Sequence, residues 1–207
     1  MPSTSDARAR LVALYATDTM SDWEYGHLVA GVGMSHGAHQ VIVVGETRDD
    51  VRTAGGLTVR PDAALDEVAV DDLAMLVLPG AATWASGHDA VLALARRLER
   101  TGVPVAAICG GTLGLARTGM LDDRRHTSNA AEYPAFAAEY RGADRYEQVP
   151  AVADRGVITA SAMAPLEFAR TALEALGSIR PDVLEAWYLL HSTGDPTHFA
   201  ELSRLDG

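Results

Sequence analysis

The sequence predicts an α/β fold in which helices cover both faces of a mainly parallel β-sheet. Two observations lead to this class. Short segments that are apolar at nearly every position alternate with amphipathic segments, and the connections between them are short. Continuous apolar character is typical of parallel strands buried on both faces, and the alternation is typical of a doubly wound sheet. Functional sites of such folds lie at the carboxyl ends of the strands.

Each element of this fold follows from a local pattern of apolar, capping and breaking residues. The predicted strands are residues 10–16, 40–45, 73–78, the five residues after Pro104, and 157–160, with a short extended piece at 57–61. The predicted helices are a first one capped by Ser21 or Asp22, then residues 90–101, the segment from Cys109 to near Gly119, 133–140, 164–176, and two in the tail, through 183–190 and from Asp195 onward.

The apolar positions of the first and last helices indicate the faces that turn inward. In the first helix the residues expected to face the sheet are Leu28, Val29, Val32 and Met34. In the last helix, Phe199 and Leu202 are expected to point inward. Glu24 falls in the first turn of the first helix, above the carboxyl end of the first strand.

Length and composition favour one domain. With 207 residues, of which 48% are apolar, the chain can fill one core but not two with a linker. Residues 1–9 are polar and are expected to form a disordered leader, so the domain spans 10–207. The sequence has no apolar run long enough to cross a membrane and no secretory leader pattern. We therefore expect a cytoplasmic protein without a membrane partner.

Charge and residue usage exclude several function classes. A formal net charge of −11 disfavours binding to nucleic acid or to anionic lipid. All 17 basic residues are arginine, so Schiff-base aldolases, pyridoxal-phosphate enzymes and P-loop NTPases, which all need a lysine, are excluded. The single cysteine cannot form an internal disulfide. His36 and His39 have a spacing that metal sites use, but no carboxylate or cysteine completes a set, so no metal site is expected.

That cysteine occupies the most informative position in the chain. Cys109 follows an apolar strand and precedes Gly110 and Gly111, which open a helix. A nucleophile on such a strand-to-helix turn, a nucleophile elbow, is exposed at the edge of the sheet, and small neighbours make room for the turn. The helix N-terminus favours the thiolate, and we expect the thiol pKa to fall to roughly 4 to 7. A small buried hydrophobe is the alternative role for a free cysteine.

Four motifs in order resemble the ThiJ/PfpI superfamily, from about Arg10 to Leu176. They are SDWEYG, LVLPGA, AAICGGTLGLARTGMLDDRR and GVITASAMAPLEFARTALEAL. The resemblance implies a flavodoxin-like three-layer sandwich with a nucleophile elbow, a cofactor-free enzyme, and a homodimer, for which Trp187 and Phe199 are candidate interface anchors. It also implies that a protonated Glu24 hydrogen-bonds the Cys109 thiolate and that the N–H groups of Gly110 and Ala81 form an oxyanion hole.

The sequence departs from that family in the histidine that serves as the catalytic base. Peptidase members carry a histidine directly after the cysteine, where this chain has Gly110. Deglycase members end a TTH segment with histidine, and the matching segment here ends in Asn129. The His-x-Glu of amidotransferases is also missing. Peptidase and glutaminase activities therefore become improbable. His126 is a substitute base or a surface loop histidine, the latter being favoured, and His27 is a weaker candidate.

We expect a pocket around Cys109 and Glu24 that is shaped by Asn129, Trp84, Thr112 and His126. The leading hypothesis is an enzyme that acts on a small electrophile as a hydrolase, a hydratase or a glyoxalase-like lyase. The alternative is a redox or stress sensor in which Cys109 is oxidised to a sulfinate. An amidotransferase-like domain that serves a synthase is the least favoured option, because no histidine lies where ammonia release needs one.

Overall fold

A computed structural model describes residues 9–205, so the predicted leader lies almost wholly outside the described residues. The strands are β1 (Arg10–Tyr15), β2 (His39–Gly45), β3 (Val51–Arg52), β4 (Thr58–Val59), β5 (Ala63–Ala64), β6 (Leu73–Leu78), β7 (Val105–Ile108), β8 (Ala151–Asp154) and β9 (Val157–Ala160). The helices are α1 (Gly26–Val32), α2 (Asp89–Arg100), α3 (Gly110–Arg117), α4 (Pro165–Leu176), α5 (Pro181–Thr193) and α6 (Pro196–Leu205).

The central sheet has seven strands in the order β5-β2-β1-β6-β7-β9-β8, and every neighbouring pair is parallel except β8 and β9. The chain goes from β1 outward to β2 and later returns to the other side of β1 as β6. Strand order therefore reverses at β1, and a crevice opens beyond the carboxyl ends of β1 and β6. The α/β class and the mainly parallel sheet are confirmed.

Helices pack on both faces of this sheet and make two hydrophobic cores. On one face, α2 and α3 cover Ala13 and Tyr15 of β1. On the other face, α1, α4 and α5 cover Val12 and Leu14 of the same strand. Alternate residues of one strand therefore enter different cores, which explains why the strand is apolar at nearly every position.

Several element predictions were wrong in detail. Glu24 lies in the irregular turn before α1, not in its first helical turn, because the helix begins at Gly26. Val29 is 37% exposed and does not face the sheet. Residues 133–140 form only a 3-10 turn, Pro134–Phe136. Phe199 is 62% exposed instead of pointing inward. Val29, Phe199 and residues 133–140 belong to apolar segments that are too short for periodicity to decide which side chains turn inward.

Three strands, β3, β5 and β8, escaped prediction because they are short or paired only at an edge. β5 has two residues, and β8 forms an antiparallel hairpin with β9. The predicted extended piece at 57–61 contributes β4, which pairs with β3 in a separate small sheet. Trp187, expected to anchor a dimer interface, is 5% exposed and belongs to the core beneath α1 and α4. No helix within residues 9–205 is long and apolar enough to span a bilayer.

Close packing of α3 on the sheet requires glycine at its first two residues. A Cβ built on Gly111 would overlap the backbone carbonyl of Leu78 in β6, and one on Gly110 would lie 2.7 Å from the carbonyl oxygen of Ala81. These are backbone atoms and cannot move aside as a flexible side chain can. The glycines that follow Cys109 thus allow the elbow to sit directly against the neighbouring strand.

We predict that Gly111→Ala destabilises the protein by roughly 1–3 kcal/mol, because the added methyl group overlaps the Leu78 carbonyl. Chemical denaturation of the two proteins measures the difference. Gly33→Ala is the matched control, since Gly33 has φ −58° and a Cβ there meets nothing within 4 Å. The control variant should be as stable as the parent chain or slightly more stable. A Gly111→Ala variant of unchanged stability would contradict the packing.

Candidate functional site

The elbow cysteine combines an unusual backbone with partial exposure. Cys109 has φ 54° and ψ −120°, a region that residues with a Cβ rarely adopt, and it is the N-cap residue of α3. Its backbone N–H donates to Ala160 O of β9 at 3.0 Å, which anchors the turn to the sheet. The side chain is partly exposed, so the sulfur is neither sealed in the core nor free in solvent. Strain of this kind needs support from the surrounding contacts.

Glu24 is the acid closest to this cysteine. Its side chain is fully buried, and its Oε2 accepts a hydrogen bond of 2.6 Å from the Gly80 N–H. A Cβ built on Gly80 would lie 2.7 Å from both carboxyl oxygens and 2.8 Å from Cys109 Cβ, so glycine is required where the acid and the cysteine meet. Burial raises the pKa of Glu24, although the Gly80 N–H and the thiol favour its charge.

The two oxygens of Glu24 have different surroundings. Oε1 is buried and makes no fully formed hydrogen bond within the described part of the chain, whereas Oε2 is paired with Gly80. An unpaired carboxylate oxygen in the interior is costly. A proton on Oε1 removes the negative charge that makes this cost large, and the Cys109 thiol is a neighbouring group that can exchange that proton. The structure thus provides a place for one proton between the acid and the thiol.

Asn129 contacts the sulfur from the other side. Its Nδ2 donates to Cys109 Sγ at 3.3 Å, and its Oδ1 accepts the Ala162 N–H at 2.9 Å. Because the backbone amide can bond only to the amide oxygen, this second bond determines that the NH₂ group faces the sulfur. Asn129 therefore acts as an oriented donor to Cys109.

The turn after β6 leaves one amide available beside the elbow. The Gly80 N–H bonds to Glu24, and the Ala82 N–H bonds to Thr19 Oγ1 at 2.9 Å. The Ala81 N–H between them has no hydrogen-bond acceptor among residues 9–205, and its nitrogen lies 3.0 Å from where a Cβ on Gly110 would be. The Gly110 N–H interacts with Cys109 itself. The Gly110 N–H is thus at the sulfur, and the Ala81 N–H lies beside the first residue of α3.

The protonation of Cys109 differs from the expectation. Burial, together with the negative charge of Glu24, raises the pKa of the thiol to about 11, although the donors Asn129 and Gly110 act to lower it. The predicted fall to roughly 4 to 7 is wrong for the pair with Glu24 ionised, because desolvation outweighs the donors. Since each negative charge disfavours the other, the thiol and the carboxyl titrate as one unit.

Two of the predicted pocket residues are structural instead. His126 is fully buried, with Nδ1 at 2.9 Å from Arg124 O and Nε2 at 2.7 Å from Tyr140 Oη. It is therefore neither the surface histidine favoured by the sequence nor a base for Cys109. Thr112 is also fully buried, and its hydroxyl contacts Cys109 O and Ser128 Oγ, both at 2.6 Å. Both residues hold the loop that leads to Asn129.

Trp84 supports the elbow from behind and does not line an open pocket. It is 1% exposed, and its Nε1 donates to Pro79 O at 2.8 Å. Its indole ring fills the space next to Gly110 and Gly114 of α3, where an added Cβ would lie 2.9 Å and 2.5 Å from the ring, respectively. The ring therefore packs directly against the backbone of α3 at these two glycines.

The other histidine proposed as a base contacts residues away from Cys109. His27 lies on α1 but contacts Trp187 and His191, with ring centroids 6.2 Å and 5.3 Å apart. Within residues 9–205, no histidine hydrogen-bonds the Cys109 sulfur, and no group of three metal-binding side chains comes together. Of the groups in contact with Cys109, Glu24 is therefore the one that can exchange a proton near neutral pH.

Sequence reasoning missed Tyr133. It lies in the same loop as Asn129, and burial together with the charges of Cys109 and Glu24 raises the pKa of its phenol. No local motif marks it, because an aromatic residue before a proline is common in loops. Its proximity to Asn129 along the chain was the one available signal.

Comparisons with known proteins show what the chain as a whole is similar to. The model of the DJ-1/PfpI family matches residues 10–175. A Bacillus subtilis protein named uncharacterized protease YoaZ is 41% identical over 94% of this chain and 97% of its own. A deglycase of Thermococcus kodakarensis is 36% identical over 44% of this chain and 55% of its own. The crystal structure of a ThiJ/PfpI family protein from Bacillus anthracis has a TM-score of 0.89, with 39% identity over 95% and 97% of the two chains.

We predict that Glu24→Gln stabilises the protein at pH 7 and has little effect at pH 4. The buried carboxyl has a raised pKa, so the folded state loses stability as the pH rises from the ordinary glutamate range toward that pKa. Glutamine removes this loss and keeps both hydrogen-bonding groups. Thermal melts should show a gain of about 2–4 °C at pH 7.

Glu67→Gln is the control for this pH dependence. The Ala64 N–H and Arg48 lower the pKa of Glu67, so its carboxylate stabilises the fold above the ordinary glutamate pKa. The variant should therefore lose stability at pH 7 relative to pH 4, which is the opposite sign. A Glu24→Gln protein that melts below the parent chain at pH 7 contradicts the buried, proton-holding carboxyl.

Proposed function

Because the chain belongs to the DJ-1/PfpI family, we propose that it is a cofactor-independent, cysteine-dependent enzyme of hydrolase type that acts on a small electrophilic carbonyl compound. One observation carries the proposal. A partly exposed sulfur in a strained elbow lies between a fully buried carboxyl and an oriented amide donor. Cysteines with only a packing role need neither a proton acceptor nor a donor of this kind.

The reaction begins with transfer of the thiol proton of Cys109 to Glu24 as the sulfur attacks the carbonyl carbon. A C–S bond forms, and the electron pair of the C=O bond moves to the oxygen. The N–H groups of Ala81 and Gly110 stabilise that oxyanion. The oxygen then re-forms the double bond, the bond to the leaving heteroatom breaks, and the heteroatom receives the proton from Glu24. Water releases the acyl group from sulfur with Glu24 again as base.

The substrate class follows from the absent histidine. Glu24 can move a proton but is a weak base, so activated carbonyl compounds are better substrates than amides. We therefore do not extend the protease name of the Bacillus subtilis relative to this chain. The deglycase name of the Thermococcus kodakarensis relative supports small carbonyl adducts. A cytoplasmic location and a homodimer remain parts of the proposal.

A second candidate function is oxidation sensing. The Asn129 NH₂ group and the Gly110 N–H, which lie at the sulfur, would stabilise the negative oxygens of a sulfinate. The two functions are separated by mass spectrometry after mild peroxide treatment. Stoichiometric addition of two oxygens at Cys109, combined with no turnover of activated esters or aldehydes, supports the sensor.

We predict a burst of p-nitrophenol equal to the enzyme concentration when the protein meets p-nitrophenyl acetate, because acylation of Cys109 is faster than deacylation. Cys109→Ser should reduce the acylation rate by at least about a hundredfold, since a serine hydroxyl beside a weak base is poorly activated. Stopped-flow absorbance and the mass of the acyl-enzyme provide the measurement. Unchanged acylation in the serine variant would remove the proposal.

We also predict that acylation requires the acid and the thiol to hold one proton between them. The rate should fall at low pH with an apparent pKa above that of an ordinary glutamate, because burial raises the pKa of Glu24. In Glu24→Gln the fall in rate with this apparent pKa should disappear. The remaining rate should increase only at higher pH, where the thiol itself ionises. A Glu24→Gln variant that keeps the parent pH profile contradicts the role of Glu24.

A further inference from the structure

Tyr133 extends the site on the side of the loop that carries Asn129. The chain reverses direction after Asn129 through a turn in which the Tyr133 N–H donates to Ala130 O at 3.1 Å. The 3-10 turn that follows, Pro134–Phe136, packs against α3, the helix that begins at the elbow. The ring of Tyr133 contacts that of Phe136, with centroids 5.8 Å apart and planes at 82°. These contacts fix the ring while leaving it only partly buried.

The hydroxyl of Tyr133 differs from those of the two other tyrosines in this region. Tyr140 Oη is 2.7 Å from His126 Nε2, and Tyr146 Oη contacts Ser128 O and the Gln148 side chain. The Tyr133 hydroxyl makes no hydrogen bond to any of residues 9–205, although the backbone of the same residue does. A hydroxyl that is fixed on the loop of Asn129 and lacks a protein partner is available to a ligand.

The protonation state of the Tyr133 phenol suits a hydrogen-bond donor. Burial and the charges of Cys109 and Glu24 all raise the pKa of the phenol. Tyr133 therefore keeps its proton throughout the neutral range and can donate a hydrogen bond without acting as a base. The ring belongs to the loop whose Asn129 hydrogen-bonds the sulfur, and the turn that follows it packs on the helix that begins at the elbow.

We propose that Tyr133 is a further catalytic residue whose hydroxyl donates a hydrogen bond to the heteroatom that leaves the adduct at Cys109. This inference rests on the proposed function. The proton that the heteroatom finally receives comes from Glu24, as in the reaction above, and Tyr133 keeps its own proton. Its contribution is to stabilise the negative charge that develops on the heteroatom while the bond to carbon breaks.

A series of aryl acetates tests this role, because the charge on the departing oxygen matters more as the phenol becomes a poorer leaving group. In Tyr133→Phe, acylation by phenyl acetate should be about tenfold to a hundredfold slower, the cost of a hydrogen bond to a developing charge. Acylation by p-nitrophenyl acetate should change by less than about threefold, since p-nitrophenolate leaves without help. The logarithm of the rate should thus depend more steeply on the pKa of the phenol.

Tyr140→Phe is the matched control, because it removes one hydroxyl from the same loop. That hydroxyl bonds to His126, so the control should melt at a lower temperature but keep the parent dependence on the leaving group. Tyr133→Phe loses no protein hydrogen bond and should melt with the parent chain.

Three results distinguish the possibilities. A steeper leaving-group dependence in Tyr133→Phe alone supports the inference. An equal rate loss for all esters, or none, overturns it while the proposed function stands. If the parent chain shows no acylation that depends on Cys109 with any ester, the proposed function fails first, and the role of Tyr133 is rejected with it.

Discussion

The burial of one carboxyl group beside one thiol is the constraint on which the rest of the site depends. Glu24 is held by the Gly80 N–H, and the approach is possible only because residue 80 has no side chain. Two acidic groups in such a place cannot both be charged at low cost. The pair therefore retains a proton at neutral pH.

Around this pair, several buried polar side chains form hydrogen bonds that orient the loop next to the sulfur. His126, Thr127 and Ser128 are all fully buried, and Thr127 bonds to Thr159 Oγ1 and Val149 O. Their bonds hold the loop so that the next residue, Asn129, reaches the sulfur. A satisfied buried network of this kind is rigid, because each lost bond leaves an unpaired group in the interior. Residues that resemble catalytic groups in the sequence thus position the one that touches Cys109.

The same site lowers the stability of the fold. The left-handed φ of Cys109, the raised pKa of Glu24 and the unpaired Oε1 are each unfavourable in a folded chain. They persist because Trp84 and the anchored turn after β6 hold the elbow from both sides. Unfavourable conformations and buried charges are common at functional sites, since a relaxed arrangement would neither expose the sulfur nor retain the proton.

The sequence alone was sufficient for the layered fold and for the strand-to-helix turn at Cys109. Continuous apolar strands and the Cys-Gly-Gly turn are local signals, so they can be interpreted without information about distant contacts. The prediction of a helix over 133–140 was wrong for the opposite reason, because nothing local distinguishes a packed 3-10 turn from a short helix.

Only the tertiary structure decided what surrounds the sulfur. In the folded chain His126 hydrogen-bonds to Tyr140, and the amide of Asn129 faces Cys109. The tertiary structure also reversed the expected pKa shift of the thiol. Burial and hydrogen-bond partners are properties of the assembled chain, since residues far apart in the sequence remove the water and supply the donors. The sequence therefore determined which atoms can react, and the packing decided their protonation and their neighbours.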